Sequence, residues 1–383
     1  MKKKNYSKDS IALHRKHNGK IEIKLKTPIR TKDDLSTVYS PGVSGPCLEI
    51  KKNPKKYRDL VSAGKTVAVI SDGSAVLGLG NLGALAAMPV MEGKSALFKR
   101  FAGIDSIPIV LDTQDTEEII QTIKNIAPSF GGINLEDFSA PRCFEIEERL
   151  KAELDIPVFH DDQHGTAIVV LAGLINALKI VNKKKGSIKV VVNGVGAAGV
   201  AITKLLHLYG VKNITLVDSQ GIVCNERTGL NATKKKLIER EAQQNICGSL
   251  LDALHNADVF VGVSVADILG KNEINNMNSD PIIFALANPS PEIDPIFAKK
   301  LGVKILATGR SDYPNQINNV LVFPGIFKGV FEGNKKQITD AMKLRAAKAL
   351  ADMVKKPTVN KIIPGPFEKG IADSIANAVK NSK

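Results

Sequence analysis

The sequence predicts an α/β protein: an N-terminal α/β domain, then a doubly wound Rossmann-type domain, then C-terminal helices that pack back. Three observations predict it. Short β-branched apolar runs alternate with segments of helical periodicity, the pattern of a parallel sheet with helices on its faces. A glycine run, Gly194-Val195-Gly196-Ala197-Ala198-Gly199, stands directly between one such run and a helical segment. The last stretches, 336–355 and 367–380, are helical in period and follow the final strand. A chain of 383 residues suffices for two or three domains, with divisions expected at 1–163, 164–332 and 333–383.

Taken in order, residues 1–66 are a mixed lead-in with a turn at Ser40-Pro41-Gly42. Strands are expected over Thr66 to Ile70 and Ile107 to Leu111, with an Ala/Leu-rich helix from Leu82 to Met91 between them. Thr116 to Ala127 and Arg142 to Leu154 have helical spacing, and Ile156-Pro157-Val158-Phe159 is strand-like. Thr166 to Val181 is an apolar helix connecting the domains. Ser187 to Val192 is a strand, Ala198 to Tyr209 a helix and Asn213 to Val217 the next strand. Val259 to Val263, Ile282 to Ala285 and Lys304 to Ala307 are later strands.

Composition narrows the function. Apolar content of 43% and charged content of 24% are those of a soluble globular protein. With 5% aromatic residues and no Trp, stacking platforms for single-stranded nucleic acid are absent. The net charge of +14 is concentrated at the ends: 17 Lys/Arg against 6 Asp/Glu in residues 1–66, and 11 against 4 in residues 333–383. Those ends carry no arginine-rich or aromatic motif, so they are solvated surface that can steer dianionic substrates rather than a nucleic-acid footprint. Cys47, Cys143, Cys224 and Cys247 have no paired spacing, which predicts unpaired thiols in a reducing compartment. Lys2, Lys3 and Lys4 are not followed by an apolar stretch, and the apolar run from Ala167 to Val181 contains Asn176 and Lys179. Neither a secretory signal nor a membrane span is expected, and the location expected is cytoplasmic.

Of two G-x-G-x-x-G matches, Gly194 to Gly199 has the context of a dinucleotide loop. It follows a strand, opens a helix whose N-terminus attracts a pyrophosphate, and precedes Asp218 at the next strand's end, where a carboxylate binds ribose hydroxyls. Asp218 is followed by Ser219-Gln220, with no adjacent base for a 2′-phosphate, so NAD is expected as the preferred coenzyme. The other match, Gly78-Leu79-Gly80-Asn81-Leu82-Gly83, is set off from its strand and suits a tight turn beside the substrate. Two acidic doublets, Glu136-Asp137 and Asp161-Asp162, end strand-like segments, where ligands bind in α/β sheets. Their hard oxygens favour Mg²⁺ or Mn²⁺. His160 and His164 have i, i+4 spacing, but no intervening Glu supports zinc, and Gly165 interrupts the segment. A dinucleotide with a divalent ion points to a hydroxy acid that is oxidised and then loses carbon dioxide.

Together these residues resemble the malic enzymes in their compact bacterial and archaeal form, from about Thr31 to Phe331. The resemblance is carried by Tyr39-Ser40-Pro41-Gly42-Val43, Asp72-Gly73 through Gly83 and on to Gly93-Lys94, Leu135-Glu136-Asp137-Phe138, Asp161-Asp162-Gln163-His164-Gly165-Thr166, Ala287-Asn288-Pro289, Asn318-Asn319-Val320 and Phe323-Pro324-Gly325. It implies oxidative decarboxylation of L-malate to pyruvate and carbon dioxide with NAD (NADP possible) and Mg²⁺ or Mn²⁺. It also implies roles: Glu136, Asp137 and Asp162 as metal ligands, Lys94 as general base on the C2 hydroxyl, Tyr39 as the acid protonating C3 of enolpyruvate, and Asp161 tuning Lys94. Asn288 and Asn319 would contact malate or the nicotinamide end. A lysine with an ordinary pKa near 10.4 is a poor base at neutral pH, so burial and a nearby cation are expected to depress Lys94. Larger family members place a carboxylate-binding arginine where this chain has Ala75. The family also implies a homodimer with the basic N-terminal segment in the interface.

Two other functions fit parts of the sequence. One is decarboxylation of malate to lactate with retained NAD, a reaction expected of relatives with longer chains. The other is a non-catalytic ligand or nucleic-acid binder using the basic ends, against which the intact set Tyr39, Lys94, Glu136, Asp137 and Asp162 speaks.

Overall fold

A computed structural model of the chain describes residues 6–242 and 246–382; Lys2, Lys3 and Lys4 lie outside the described residues. Two sheets organise it. The first has the order β2-β1-β3-β4 and is wholly parallel, from β1 (Thr66–Ser71), β2 (Asp105–Val110), β3 (Gly132–Leu135) and β4 (Val158–His160). The second has the order β10-β9-β8-β5-β6-β7, from β5 (Lys189–Asn193), β6 (Asn213–Asp218), β7 (Gly221–Ile222), β8 (Val259–Gly262), β9 (Ile282–Ala285) and β10 (Ile305–Thr308). Only the short β7 runs antiparallel, against β6. In both sheets the chain reverses direction beside the first strand, β1 and β5, so each opens a crevice at its strands' carboxyl ends. β1 is buried throughout because helices cover both its faces, and it is a continuous apolar run for that reason.

The central element is the helix Asp161–Val181, which packs on the helices Ala197–Tyr209 and Asp340–Asp352. It begins five residues earlier than Thr166, the expected start, so Gly165 lies inside it rather than interrupting it. A Cβ at Gly165 would come 1.9 Å from Asp161 Oδ1. Glycine at that position is therefore what lets the first turn fold around a buried carboxylate. The helix is long and apolar enough to cross a bilayer by length and composition, but 67% of that stretch is buried inside the protein. Its apolar surface faces helices on several sides, as a core helix requires.

The C-terminal helices do pack back. Phe323–Glu332 lies against both Ala84–Ala102 of the first half and Ile371–Lys380, and Asp340–Asp352 bridges Ile371–Lys380 to the central helix. Phe98, Phe323 and Phe327 meet edge-to-face at 4.7 and 5.3 Å, so one core joins the two sheets.

The cysteine expectation is corrected. Cys224, just after β7, is disulfide-bonded to Cys247, which the fold brings back to a Cα separation of 5.5 Å across 23 residues. Sequence spacing carries no trace of that return; Cys47 and Cys143 are free.

The N-terminal segment has little core of its own. The helices Tyr6–His17, Lys32–Val38 and Ser44–Lys52 contain no buried residue, and Ile23, Leu25, Leu48 and Tyr39 are exposed, the first at 93%.

Candidate active site

The acidic doublets come together at the carboxyl ends of β3 and β4. Glu136 and Asp137 follow β3, and Asp161 and Asp162 form the first turn of the central helix behind β4. One ligand oxygen each from Glu136, Asp137 and Asp162 lies within 4.8 Å of the others, the one such His/Cys/Asp/Glu group among the described residues. Asp137 adopts a left-handed backbone, φ +58°, which Asp tolerates better than most residues. Its N–H donates to Asp162 Oδ2 at 2.8 Å, tying the doublets together. Asn134 Nδ2 donates to Glu136 Oε2 at 3.0 Å, from two residues earlier and hence the same face of β3.

Lys94, on the helix Ala84–Ala102, reaches into this cluster. Its Nζ lies 2.7 Å from both Glu136 Oε1 and Asp161 Oδ2, and 4.6 Å from the Phe323 ring centre. Lys94, Glu136, Asp137 and Asp161 are all buried. Four carboxylates thus face one ammonium, and the effect on titration is large. Burial and the Asp162 charge push Asp137 up to about 7. Burial raises Glu136 well above its ordinary value, more than Lys94 can offset. In the metal-free cluster Lys94 feels the carboxylates without the cation that the expected depression calls for. Burial alone would lower its pKa, but the charges of Asp161, Glu136 and Asp162 outweigh it and hold the ammonium above its ordinary value.

The cluster fits a divalent ion. Three hard carboxylates converge, Asp137 Oδ2 is buried with no hydrogen-bond partner, and their mutual repulsion is what a dication relieves. His160 Nδ1 stands 3.9 Å from Asp162 Oδ2, but neither His160 nor His164 belongs to the converging group. His164 Nε2 pairs with Glu147 Oε2 at 2.8 Å, and burial pushes its pKa down to about 4. Glu147 also accepts from the His160 N–H at 3.1 Å. That is a latch between helix Arg142–Glu153 and the turn holding Asp161 and Asp162, rather than a metal site.

A cavity of about 750 Å³ connects the cluster to the glycine loop. Lys94, Glu136, Asp137, Asp162, Ala197, Ala198, Asn288 and Asn319 all line it, as do Ala75, Gly78 and Asn318. The loop has the expected geometry. Gly194 has φ +105°, and a Cβ there would meet Val263 O at 2.6 Å; a Cβ on Gly199 would meet Gly194 O at 1.8 Å. Gly196 is the N-cap of helix Ala197–Tyr209, and a Cβ there would stand in open space, where a pyrophosphate has room. Gly78, in the other glycine match, has φ +74° and a Cβ there would lie 2.9 Å from Asn288 O, so that turn does abut the cavity wall.

Asp218 lies at the end of β6 as expected, but it is not alone. Arg227 contacts both its oxygens, at 2.8 and 3.1 Å, and Lys234 Nζ is 2.6 Å from Oδ2. Although burial raises it, the hydrogen bonds from Arg227 and Lys234 hold Asp218 at about 2. The absence of an adjacent base in the sequence is thus compensated in space, by residues 9 and 16 positions onward. Tyr39 is the expected residue that stays apart: it is exposed at 69% and does not line the cavity. The residues missed in the sequence are Arg227, Lys234, Glu147, Asn134 and the cavity-lining Lys20. Only Asn134 carried a signal, its i, i+2 relation to Glu136.

A dinucleotide loop and a lysine–carboxylate cluster that open into one cavity are the parts of a nicotinamide-dependent dehydrogenase. Residues 18–151 match the family model for the malic enzyme N-terminal domain, and residues 163–381 that for the malic enzyme NAD binding domain. The chain belongs to the malic enzyme family. It is 56% identical to the NAD-dependent malic enzyme of Geobacillus stearothermophilus, over 94% of this chain and 76% of that one. It is 52% identical to the bifunctional malic/malolactic enzyme of Bacillus subtilis, over 97% and 91%. Among solved structures, the malic enzyme of Pyrococcus horikoshii superposes with a TM-score of 0.94 at 46% identity, covering 98% of this chain and 90% of that one. The NAD-dependent malic enzyme of Thermotoga maritima gives 0.94 at 48%, covering 97% and 99%. The Bacillus relative corrects one expectation: a relative named as malolactic need not be much longer than this chain.

Proposed function

We propose that this chain oxidatively decarboxylates L-malate to pyruvate and carbon dioxide, with NAD as the preferred coenzyme, NADP as a second, and Mg²⁺ or Mn²⁺. The observation that carries the reading is the cavity joining the Lys94–carboxylate cluster to the glycine loop. When bound, the ion would supply a Lewis acid for the substrate's C2 oxygen, and the coenzyme a hydride acceptor.

The chain's own residues do the rest. Glu136, Asp137 and Asp162 would hold the ion. The loop Gly194, Val195, Gly196, Ala197, Ala198 and Gly199 holds the pyrophosphate, and Asp218 the ribose. Arg227 and Lys234 beside Asp218 leave that corner net positive, which accommodates a 2′-phosphate. Lys94 takes the proton of the C2 hydroxyl. Its own proton is held by the field of Asp161, Glu136 and Asp162, a field that an ion held by Glu136 and Asp162 would weaken. Asp161, fully buried at 2.7 Å, fixes the Lys94 ammonium in place. Asn288 and Asn319 line the cavity where malate and the nicotinamide meet.

Tyr39 is the acid that protonates C3 of enolpyruvate, and its exposure points to a homodimer. The N-terminal segment leaves Ile23, Leu25 and Leu48 bare, and burying such side chains against a second copy is favourable at about 25 cal/mol per Å². The dimer we propose runs through this basic segment, with Tyr39 meeting a cavity across it. We place the enzyme in the cytoplasm, on the burial of its long apolar helix rather than on its cysteines. The domain divisions at 163/164 and 332/333 remain our reading, with the helix Asp161–Val181 running through the first of them.

The second reading, decarboxylation to lactate with retained NAD, is favoured by one observation, the bifunctional Bacillus relative. Initial rates crossing malate with NAD or NADP and Mg²⁺ or Mn²⁺, with pyruvate and lactate quantified, separate the two. Pyruvate and NADH in equal amounts are expected. Lactate without NADH would establish the second reading, and no metal-dependent turnover would reject both.

A further inference from the structure

We propose that Lys20 is the cation that binds the substrate carboxylate retained in the product, the role left open by Ala75. The inference rests on the assignment of the large cavity as the malate site.

Lys20 and Ala75 line that same cavity. Of the residues lining it, only Lys20 and Lys94 are Lys or Arg, and Lys94 is already committed at 2.7 Å to each of two carboxylates. Lys20 differs. Among the described residues its Nζ has one hydrogen-bond partner, the neutral carbonyl of Pro89 at 2.7 Å, and the Glu92 charge acts on it without a hydrogen bond to Nζ. An ammonium has three donors, so two remain for a ligand.

The position is built. The Lys20 N–H donates to Glu92 Oε2 at 3.1 Å, and Gly19, at φ +110°, allows that approach because a Cβ there would meet Glu92 Oε1 at 2.7 Å. A Cβ on Gly93 would lie 3.7 Å from Lys20 Nζ. Pro89, Glu92 and Gly93 thus hold Lys20 against the helix Ala84–Ala102 next to Lys94.

Charge explains both the need and the choice of carboxylate. A malate dianion enters a cavity already walled by Glu136, Asp137 and Asp162, so a cation away from the cluster is required. An ammonium on the carboxylate that leaves as carbon dioxide would oppose the reaction, because negative charge flows from that group into the enolate. On the retained carboxylate the charge is unchanged from malate to pyruvate. Lys20 then binds ground state and transition state alike, and its loss should raise KM while sparing kcat.

The test uses the intact enzyme with Lys20→Met and Lys20→Gln, the latter retaining a donor for the Pro89 carbonyl without a charge. Malate KM and kcat are measured at saturating coenzyme and Mg²⁺, and malate Kd by calorimetry with Mg²⁺ and no coenzyme. Both variants should raise KM and Kd about tenfold or more, about 1.4 kcal/mol, with kcat within about threefold and NAD Kd unchanged. Should Lys20→Met not fold, Lys20→Gln decides. A malate Kd within about threefold of the parent overturns the proposal, as does a rise in NAD Kd matching that in malate Kd, which would mark a merely structural pin. A parent that binds malate without turning it over would sink the activity but leave the comparison of Kd values decisive for Lys20.

Discussion

Lowering the pH should loosen the hold on the divalent ion, and the structure sets the size of the effect. Asp137, held up to about 7 by burial and the Asp162 charge, must be ionised to act as a ligand. Between about pH 7.5 and about pH 5.5 its ionised fraction falls about 25-fold, equivalent to about 1.9 kcal/mol of apparent metal affinity. Glu136 is raised as well, so the true loss is at least this large. The sign for stability is opposite. A carboxylate whose folded pKa lies above its unfolded value binds more protons when folded, so the metal-free protein loses stability as pH rises from about 4 to about 7. That loss reaches at most about 1.4 kcal/mol per pH unit for this group. Metal should therefore raise Tm more at pH 8 than at pH 5.5. Calorimetric Mn²⁺ titrations in two buffers of different ionisation enthalpy measure both affinity and proton release. A Kd that is constant across this range, with no proton released, would refute the reasoning.

Four other outcomes are expected. Asp162→Ala should abolish metal-dependent turnover while NAD binding, read by fluorescence titration, stays near the parent's; unchanged turnover would remove Asp162 from the ligand set. Lys94→Ala should lower kcat for malate oxidation by about 10²- to 10⁴-fold, and a rate near the parent's would send the search for the base elsewhere. Replacing Arg227 and Lys234 by Gln should lower kcat/KM for NADP about 10- to 100-fold relative to NAD; equal losses for both coenzymes would count against a 2′-phosphate role. Gly199→Ala, whose methyl would stand 1.8 Å from Gly194 O, should cost about 3 kcal/mol of stability or displace the loop. A denaturant midpoint and NAD affinity both equal to the parent's would show that the loop accommodates the methyl.

Much of this enzyme was legible in one dimension because its chemistry is placed by local rules. A strand, a glycine turn and a helix follow one another directly at residues 189–209, so the dinucleotide loop needs no distant partner to be recognised. Acids at strand ends fall at the ligand-binding edge of a parallel sheet by construction, which is why the doublets Glu136-Asp137 and Asp161-Asp162 stand out among many acids, while the choice of Glu136, Asp137 and Asp162 as proposed ligands rests on the family resemblance. The central helix was placed too late by five residues because Gly165 looks like a breaker until Asp161 is seen folded against it.

What the sequence by itself determined was the α/β alternation, the glycine loop and the acidic doublets at strand ends, each encoded within a few consecutive residues. What only the tertiary structure decided were the long-range charges. In the metal-free cluster the Lys94 ammonium is held above its ordinary value because carboxylates from two separate segments surround it. Asp218 is neutralised by Arg227 and Lys234, and Cys224 meets Cys247, because the chain turns back beyond β7. Lys20 meets the cavity from 74 positions before Lys94, across a contact with a single helix turn. Electrostatic energy depends on distance in space, and no spacing along the chain reports it.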